Sequence, residues 1–329
     1  MSTTSNPTGG APTPDAAPPV GVISLGSNDL HLLVATTDGA GAWVELHNQA
    51  IMAELGVALH DGVAPASALC LALNHLDTLV TASRAAGAAE VFILATEVIR
   101  EARNGQALLD LAAATLGAKA FLLTGDEEAA LDYRWASFPT PPQQMTLVVD
   151  SGGASTQVIL GDGPTPTFIT STPIGAGSLT HEYIHHDPPK SRELRALQER
   201  IATALNDLPT DAPRPGESAE PPTAAVIIGG SADHLARFTA HPKRLTVSRQ
   251  ELDHALDALQ SKPAAEVAQK FKLPVERARL LPAGASILSA TLAHYGCVEA
   301  QIRPNGIRGG FVISYARDGA RWRKRLTAR

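Results

Sequence analysis

A chain of 329 residues with a formal net charge of −6 has room for about two domains, and its charge argues against a general nucleic-acid binder. Its hydrophobic share of 44% suffices for ordinary cores, yet no window holds the ~18 uninterrupted apolar residues of a membrane span, so no membrane association is expected. Cys70 and Cys297 fall in apolar helical patterns and read as buried thiols of a reducing compartment rather than a disulfide. Residues 1–19, rich in Ser, Thr, Pro, Gly and Ala, lack the charged start and apolar stretch of a secretory signal. They read as a disordered tail, and the cytoplasm is the expected location.

The apolar run Val20-Gly21-Val22-Ile23 predicts a strand, Gly26-Ser27-Asn28 a tight turn, and Leu32-Leu33-Val34-Ala35 a returning strand. A further strand follows at 43–51. A helix is expected over 66–86, with Leu69, Leu73, Leu76 and Val80 on one side. Next come a strand at 90–95, a helix capped by Thr96 and running to about 116, a strand at 119–124 and a helix over 126–136. Phe138-Pro139-Thr140-Pro141-Pro142 breaks this alternation and marks the expected boundary between a first domain, 20–138, and a second, 139–329.

The second half restarts with Thr146-Leu147-Val148-Val149, the turn Asp150-Ser151-Gly152-Gly153-Ala154-Ser155-Thr156-Gln157 and the return Val158-Ile159-Leu160. A strand is read at 165–171, a helix at 191–205 and a proline-rich surface insertion at 208–222. Val226-Ile227-Ile228 is a buried strand ending in Gly229-Gly230-Ser231. Helices at 248–260 and 275–295, a strand at 298–302 and a last helix from about 307 complete the chain. Alternating strands and helices in both halves make the class α/β with mixed sheets.

The chemistry begins with the repeated hairpin. Small residues let a backbone approach an anion closely, and a turn of Gly, Ser, Asn and Thr offers N–H groups and hydroxyls to phosphate oxygens. Two such turns imply two similar half-domains facing each other across a cleft. Asp150, at the end of a buried strand, suits Mg²⁺ directly or through water, or alternatively caps the turn. Asp126, Glu127 and Glu128 open a helix, where acidic side chains are favoured by the helix dipole alone; one of them is equally suited to deprotonate water. Arg100 and Arg103, three apart, could share a helix face and offer charge to a phosphate chain, or be a plain surface pair. His185-His186 lacks partners at metal-ligand spacing and reads as surface. Arg317, Arg321, Arg323, Lys324, Arg325 and Arg329 make a basic end, either a solvated helix face or a dock for a polyanion.

Taken together, from residue 20 to about 315, these segments resemble the exopolyphosphatase / guanosine pentaphosphatase (Ppx/GppA) family, a member of the actin–hexokinase–Hsp70 superfamily. The resemblance implies two ribonuclease-H-like α/β domains facing each other across an active-site cleft. Leu25-Gly26-Ser27-Asn28 with His31 is similar to the family's first phosphate loop, and 95–100 with Asn104 to its arginine helix. Gly125 to Ala129 is similar to its glutamate motif, in which Glu128 would be the catalytic base. Asp150 to Thr156 resembles the second phosphate loop, Gly229-Gly230-Ser231 a Gly-Gly-Thr segment, Ala283-Gly284-Ala285 the late helix and Gly306-Ile307-Arg308 the closing Gly-Leu-Arg.

The resemblance therefore implies removal of terminal phosphate from inorganic polyphosphate, dependent on Mg²⁺ or Mn²⁺. Glu128 would activate water. Gly26, Ser27, Asn28, Arg100, Gly152, Gly153, Ala154, Ser155, Thr156, Gly230 and Ser231 would hold phosphate, and Asp150 the metal. The alternatives are a pppGpp 5′-phosphohydrolase and a non-hydrolysing polyphosphate or alarmone sensor. The sensor draws support from Ser24 and Gln157, which stand where the family has an aspartate and a glutamate; Gly309 likewise replaces a usual glutamate. Family members often dimerise, so a homodimer is expected, although no residue decides it.

Overall fold

The computed structural model describes residues 17–37, 42–59, 61–209, 222–235 and 245–326. The expected tail and proline-rich insertion lie mostly outside the described residues. Tertiary contacts divide the chain into two compact units, one within Met1–Thr140 plus Ile307–Arg329 and the other within Pro141–Gly306. The chain thus leaves the first unit at the proline-rich break that the sequence singles out.

The first unit is built on β1 (Val20–Leu25), β2 (Asp29–Thr37) and β3 (Trp43–Met52), an antiparallel meander. The short α1 (Leu55–Ala58) and long α2 (Ala66–Ala85) follow, then β4 (Glu90–Ala95), α3 (Glu97–Glu101), α4 (Gly105–Leu116), β5 (Lys119–Leu122) and α5 (Gly125–Ala136). Strand order is β3-β2-β1-β4-β5, with β1 parallel to β4 and β4 to β5. Central β1 and β4 are buried along nearly their whole length, as expected of strands covered on both faces.

One helix expected from Thr96 to about 116 is in fact two. The Thr96 hydroxyl donates to Leu25 O (3.1 Å) instead of capping, and the Asn104 side chain closes two bonds with the Ala64 backbone (3.0 and 2.8 Å). A Cβ on Gly105 would lie 2.2 Å from Ile99 O, so the chain doubles back sharply there. Arg103 falls in this break and donates to Asp61 O (2.6 Å), so it shares no helix face with Arg100.

The second unit repeats the plan. The meander is β6 (Thr146–Ser151), β7 (Thr156–Gly161) and β8 (Phe168–Thr172). After it come α6 (Ala176–Tyr183), α7 (Ser191–Asn206), β9 (Ala224–Ile228), α8 (Gly230–Leu235), β10 (Thr246–Ser248), α9 (Arg249–Gln260), α10 (Ala264–Phe271), α11 (Val275–His294) and β11 (Glu299–Ile302). The order is β10-β11-β9-β6-β7-β8, with β6 parallel to β9 and β9 to β11. Without edge strand β10 this is the order of the first sheet, so each unit has the ribonuclease-H-like arrangement that the family resemblance implied. The sequence pattern does not announce α6, α8, α10 and β10, which are short. No helix among the described residues is long and apolar enough to cross a membrane.

The C-terminal segment corrects the expected boundary. Helix α12 (Gly306–Asp318), a 3-10 turn over Gly319–Arg321 and α13 (Trp322–Leu326) belong to the first unit, not to a second domain running to residue 329. The reason is apolar. Phe311, Val312, Trp322 and Leu326 share a core with Val20, Val22, Phe92, Leu123 and Leu131, the Phe311 ring lying 4.7 Å from Phe92 and 4.8 Å from Trp322. Glycines let α12 press on α5: a Cβ on Gly310 would sit 2.0 Å from Leu131 O, and one on Gly309 would meet the Trp135 ring at 2.5 Å. A glutamate at 309 would have no room there. Both thiols are free; Cys297 is buried as expected, whereas Cys70 is exposed on α2.

Candidate active site

The two hairpin turns close in the same way. Gly26 N–H donates to Asp29 O (3.1 Å) and Gly152 N–H to Ser155 O (2.9 Å), each bridging strands paired at Leu25–Leu30 and Ser151–Thr156. In each turn a Cβ on the glycine would press on that same carbonyl at 3.2 Å, which explains the residue.

Behind each turn the following segment ties down its carbonyls. Ser27 O accepts from Gly56 N, and Asn28 O accepts from Ala53 N (2.8 Å) and Glu54 N (3.0 Å). Gly152 O accepts from Ala176 N, and Gly153 O from Gly177 N (2.8 Å) and Ser178 N (2.9 Å). The N–H groups of Ser27, Asn28, Gly153 and Ala154 have no acceptor among the described residues. Backbone donors in a row with their carbonyls turned away and bonded make an anion nest. Gly175 is what lets α6 lie so close, since its Cβ would fall 2.4 Å from Gly153 O.

Not every turn residue faces this nest. Thr156 is fully buried and its hydroxyl donates to Ile174 O (2.6 Å), so it braces the turn from below and offers nothing to a phosphate. Ser155 Oγ receives Gln157 Nε2 (3.1 Å), and that amide also reaches Ser171 Oγ (3.4 Å). Ser231 is the second residue of α8, and its side chain lies outside what the structure describes.

Flanking the second turn, Asp150 and Gln157 face each other across β6 and β7; Ser24 and His31 hold the corresponding places on β1 and β2. His31 in turn lies 3.7 Å from Asp29. Gly229, at φ +98°, closes over Asp150: a Cβ there would come 2.6 Å from Asp150 Oδ1 and 2.7 Å from Ser151 O. Gly229→Ala combines that clash with a left-handed backbone that costs ~1–3 kcal/mol in a non-glycine residue. The variant is expected to unfold at a lower urea concentration than the wild type, as read by circular dichroism.

In the first unit, α5 brings the acidic side chains into place. Thr124 caps it with a full capping box: its hydroxyl accepts from Glu127 N (3.2 Å) and its own N–H donates to Glu127 Oε2 (2.9 Å). Arg323 of α13 grips the same carboxylate with Nε (2.5 Å) and Nη2 (2.7 Å). Burial pushes the Glu127 carboxyl up, but Arg323 and the Thr124 N–H outweigh it and hold it below the usual carboxylate range. Glu127 is thereby committed to structure.

Glu128 is buried on another side of the helix, 6% exposed, and takes Arg100 Nη1 at 2.5 Å. The same nitrogen donates to Leu123 O (2.6 Å). Arg100 therefore fixes Glu128 through one of its nitrogens and can direct its remaining N–H groups at an anion.

Sequence reasoning missed two arginines. Arg323 was hidden in a basic tail that reads as surface, and Arg277, 5% exposed on α11, sits under Gly230, whose Cβ would meet its Nη1 at 3.2 Å. Burial lowers the Arg277 pKa to about 10, and such a buried cation beside a glycine turn is a binding candidate in its own right. His186 proves to be engaged, 2.6 Å from both Glu193 Oε1 and Lys190 Nζ. Burial raises the Glu193 carboxyl, yet bonds from Lys190 N–H, His186 and His185 N–H bring it down to about 2.

Among the described residues no group of three or more His, Cys, Asp or Glu side chains could hold a metal ion. Asp150 does bring one carboxylate to the second turn. That suits Mg²⁺, which keeps several waters and takes one or two carboxylates together with substrate phosphates, and does not suit a cage made wholly of protein.

The model of the Ppx/GppA phosphatase family matches residues 60–318. The chain is 25% identical over 306 residues to exopolyphosphatase 1 of Mycobacterium tuberculosis, covering 89% of this chain and 87% of that one. It is 27% identical over 236 residues to the guanosine-5′-triphosphate,3′-diphosphate pyrophosphatase of Photobacterium profundum, covering 68% of this chain and 44% of the relative. Among solved structures, the Ppx/GppA family member of Aquifex aeolicus superposes with a TM-score of 0.74 at 22% identity, over 92% of this chain and 98% of that one. A family match spanning most of the chain, on a fold whose two sheets repeat one another, leaves one assignment: the chain belongs to the Ppx/GppA phosphatase family.

Proposed function

We propose that this protein is a phosphoanhydride hydrolase that removes terminal phosphate from inorganic polyphosphate. The observation that carries the reading is the pair of matching turns, each with carbonyls bonded behind and N–H groups left for an anion. The name of the mycobacterial relative points to the same substrate. The competing substrate is pppGpp, which the Photobacterium relative's name favours.

In this reading the first unit offers Gly26, Ser27, Asn28 and the charge of Arg100 to phosphate oxygens, and the second unit offers Gly152, Gly153, Ala154, Ser155 and Gly230. Glu128, paired with Arg100, accepts the proton of the attacking water. Buried and nearly dry, it holds that water in one orientation, which is most of what phosphoryl transfer asks of a protein. Mg²⁺ or Mn²⁺ bound through Asp150 would offset the charge on the leaving phosphate. The family's usual glutamate is an amide here, and Gln157 gives its N–H to Ser155 and Ser171, so the metal would rely on Asp150, water and the substrate itself. The two half-domains, a homodimeric assembly and a cytoplasmic location belong to the same proposal; the free thiols agree with the last.

The test is phosphate release from long-chain polyphosphate and from pppGpp, with and without Mg²⁺ or Mn²⁺. Metal-dependent release is expected, faster from polyphosphate. Release from pppGpp alone would transfer the activity to the alarmone, and binding of either compound without release would make the protein a sensor.

A further inference from the structure

The C-terminal helix contributes a positioning residue to the proposed hydrolase: we infer that Arg323 sets the orientation of α5, and through it of Glu128, by holding Glu127. This rests on the hydrolase reading above.

Two adjacent glutamates follow two adjacent carbonyls, and two arginines divide them. Arg100 joins Leu123 O to Glu128, and Arg323 joins Leu122 O (2.8 Å) to Glu127. The β5–α5 connection is therefore gripped from both sides, one residue apart on each. Arg323 comes from 196 positions further along the chain, so local sequence does not hold it there. Trp322 and Leu326 do so, buried in the aromatic core on either side of it, 2% and 8% exposed.

The charge logic is as definite as the geometry. Glu127 is 7% exposed, and without a cation it would be a buried anion next in sequence to the proposed base. Its two oxygens are both engaged by Arg323, a forked contact that fixes orientation as well as charge. The Glu127 side chain also bonds back to Thr124 N–H, so any movement of the carboxylate moves the first turn of α5. The hydrogen bonds of Arg323 go to Glu127 and Leu122 O, so it acts on Glu128 through this turn.

The test compares Arg323→Gln, Arg323→Lys, Glu127→Gln and the Arg323→Gln/Glu127→Gln double variant in the full chain, by kcat and KM for polyphosphate. Misplacing a catalytic group by about 1 Å costs on the order of 100-fold, so Arg323→Gln is expected to lower kcat about 10- to 100-fold with KM nearly unchanged. Arg323→Lys should recover part of the loss, and the double variant should be no slower than the slower single. Tryptophan fluorescence confirms that each variant is folded at the assay temperature. Unchanged kcat overturns the inference, as does a raised KM at constant kcat, which would make Arg323 a substrate contact. So do losses that multiply in the double variant. A wild-type protein that releases no phosphate sinks the hydrolase reading and this inference with it; an active wild type with an active Arg323→Gln sinks the inference alone.

Discussion

Glu128→Gln is expected to lower phosphate release by about 10²- to 10⁴-fold, the contribution of a general base, while polyphosphate binding stays near the wild-type value. The substitution is close to isosteric. Its amide oxygen can still receive Arg100 Nη1, and the Thr124 O bond that starts the helix is a backbone bond that the side chain does not touch. What disappears is the capacity to take a proton. The phosphate-facing N–H groups of the turns are backbone atoms and stay in place. Phosphate release and an equilibrium binding measurement on the same preparation separate the two effects. Wild-type turnover in this variant would remove Glu128 from the mechanism, and lost binding would mean that the carboxylate serves mainly to hold Arg100.

Neighbouring Glu127 sharpens the argument. Both glutamates stand in Thr124-Gly125-Asp126-Glu127-Glu128, and the sequence signature of a capping box, Thr followed three residues later by Glu, already separates them. Glu127 is the reciprocal cap; Glu128, one position on, is left for chemistry.

What the sequence made legible was local. A strand, a glycine turn and a returning strand are specified by neighbours in the chain, so both hairpins and both series of central strands could be read off directly. Contacts between distant segments were not legible. Nothing near Phe311 or Trp322 tells that their partners are Val20, Val22 and Phe92, and so the order of elements alone places the terminal helices with the second unit. Arg323 stands in a basic run that looks like solvated surface, whereas its partner lies 196 positions away. The break between α3 and α4 was hidden for the same reason, because Asn104 answers to Ala64 and not to the helical pattern around it.

Gly310→Ala should damage the first unit severely for so small a change. The added carbon would lie 2.0 Å from Leu131 O and 2.6 Å from Leu131 C, backbone atoms in the middle of α5 that no rotamer change can move aside. Helix α12 must back away from α5, and overpacking of this kind costs about 1–3 kcal/mol or more. All three tryptophans, Trp43, Trp135 and Trp322, belong to this unit, so fluorescence during urea unfolding reports it without contribution from the other. A lower midpoint in fluorescence is the expected result. Gly309→Ala gives a contrast one residue away: its new carbon meets the Trp135 ring at 2.5 Å, a side chain with some freedom to swing, and the loss should be smaller. The same displacement should slow catalysis beyond what the fraction unfolded explains, because α5 carries Glu128 and α12 leads directly into the segment bearing Arg323. Equal midpoints for wild type and Gly310→Ala would mean that the helices are not packed this closely, and would withdraw the basis for the coupling.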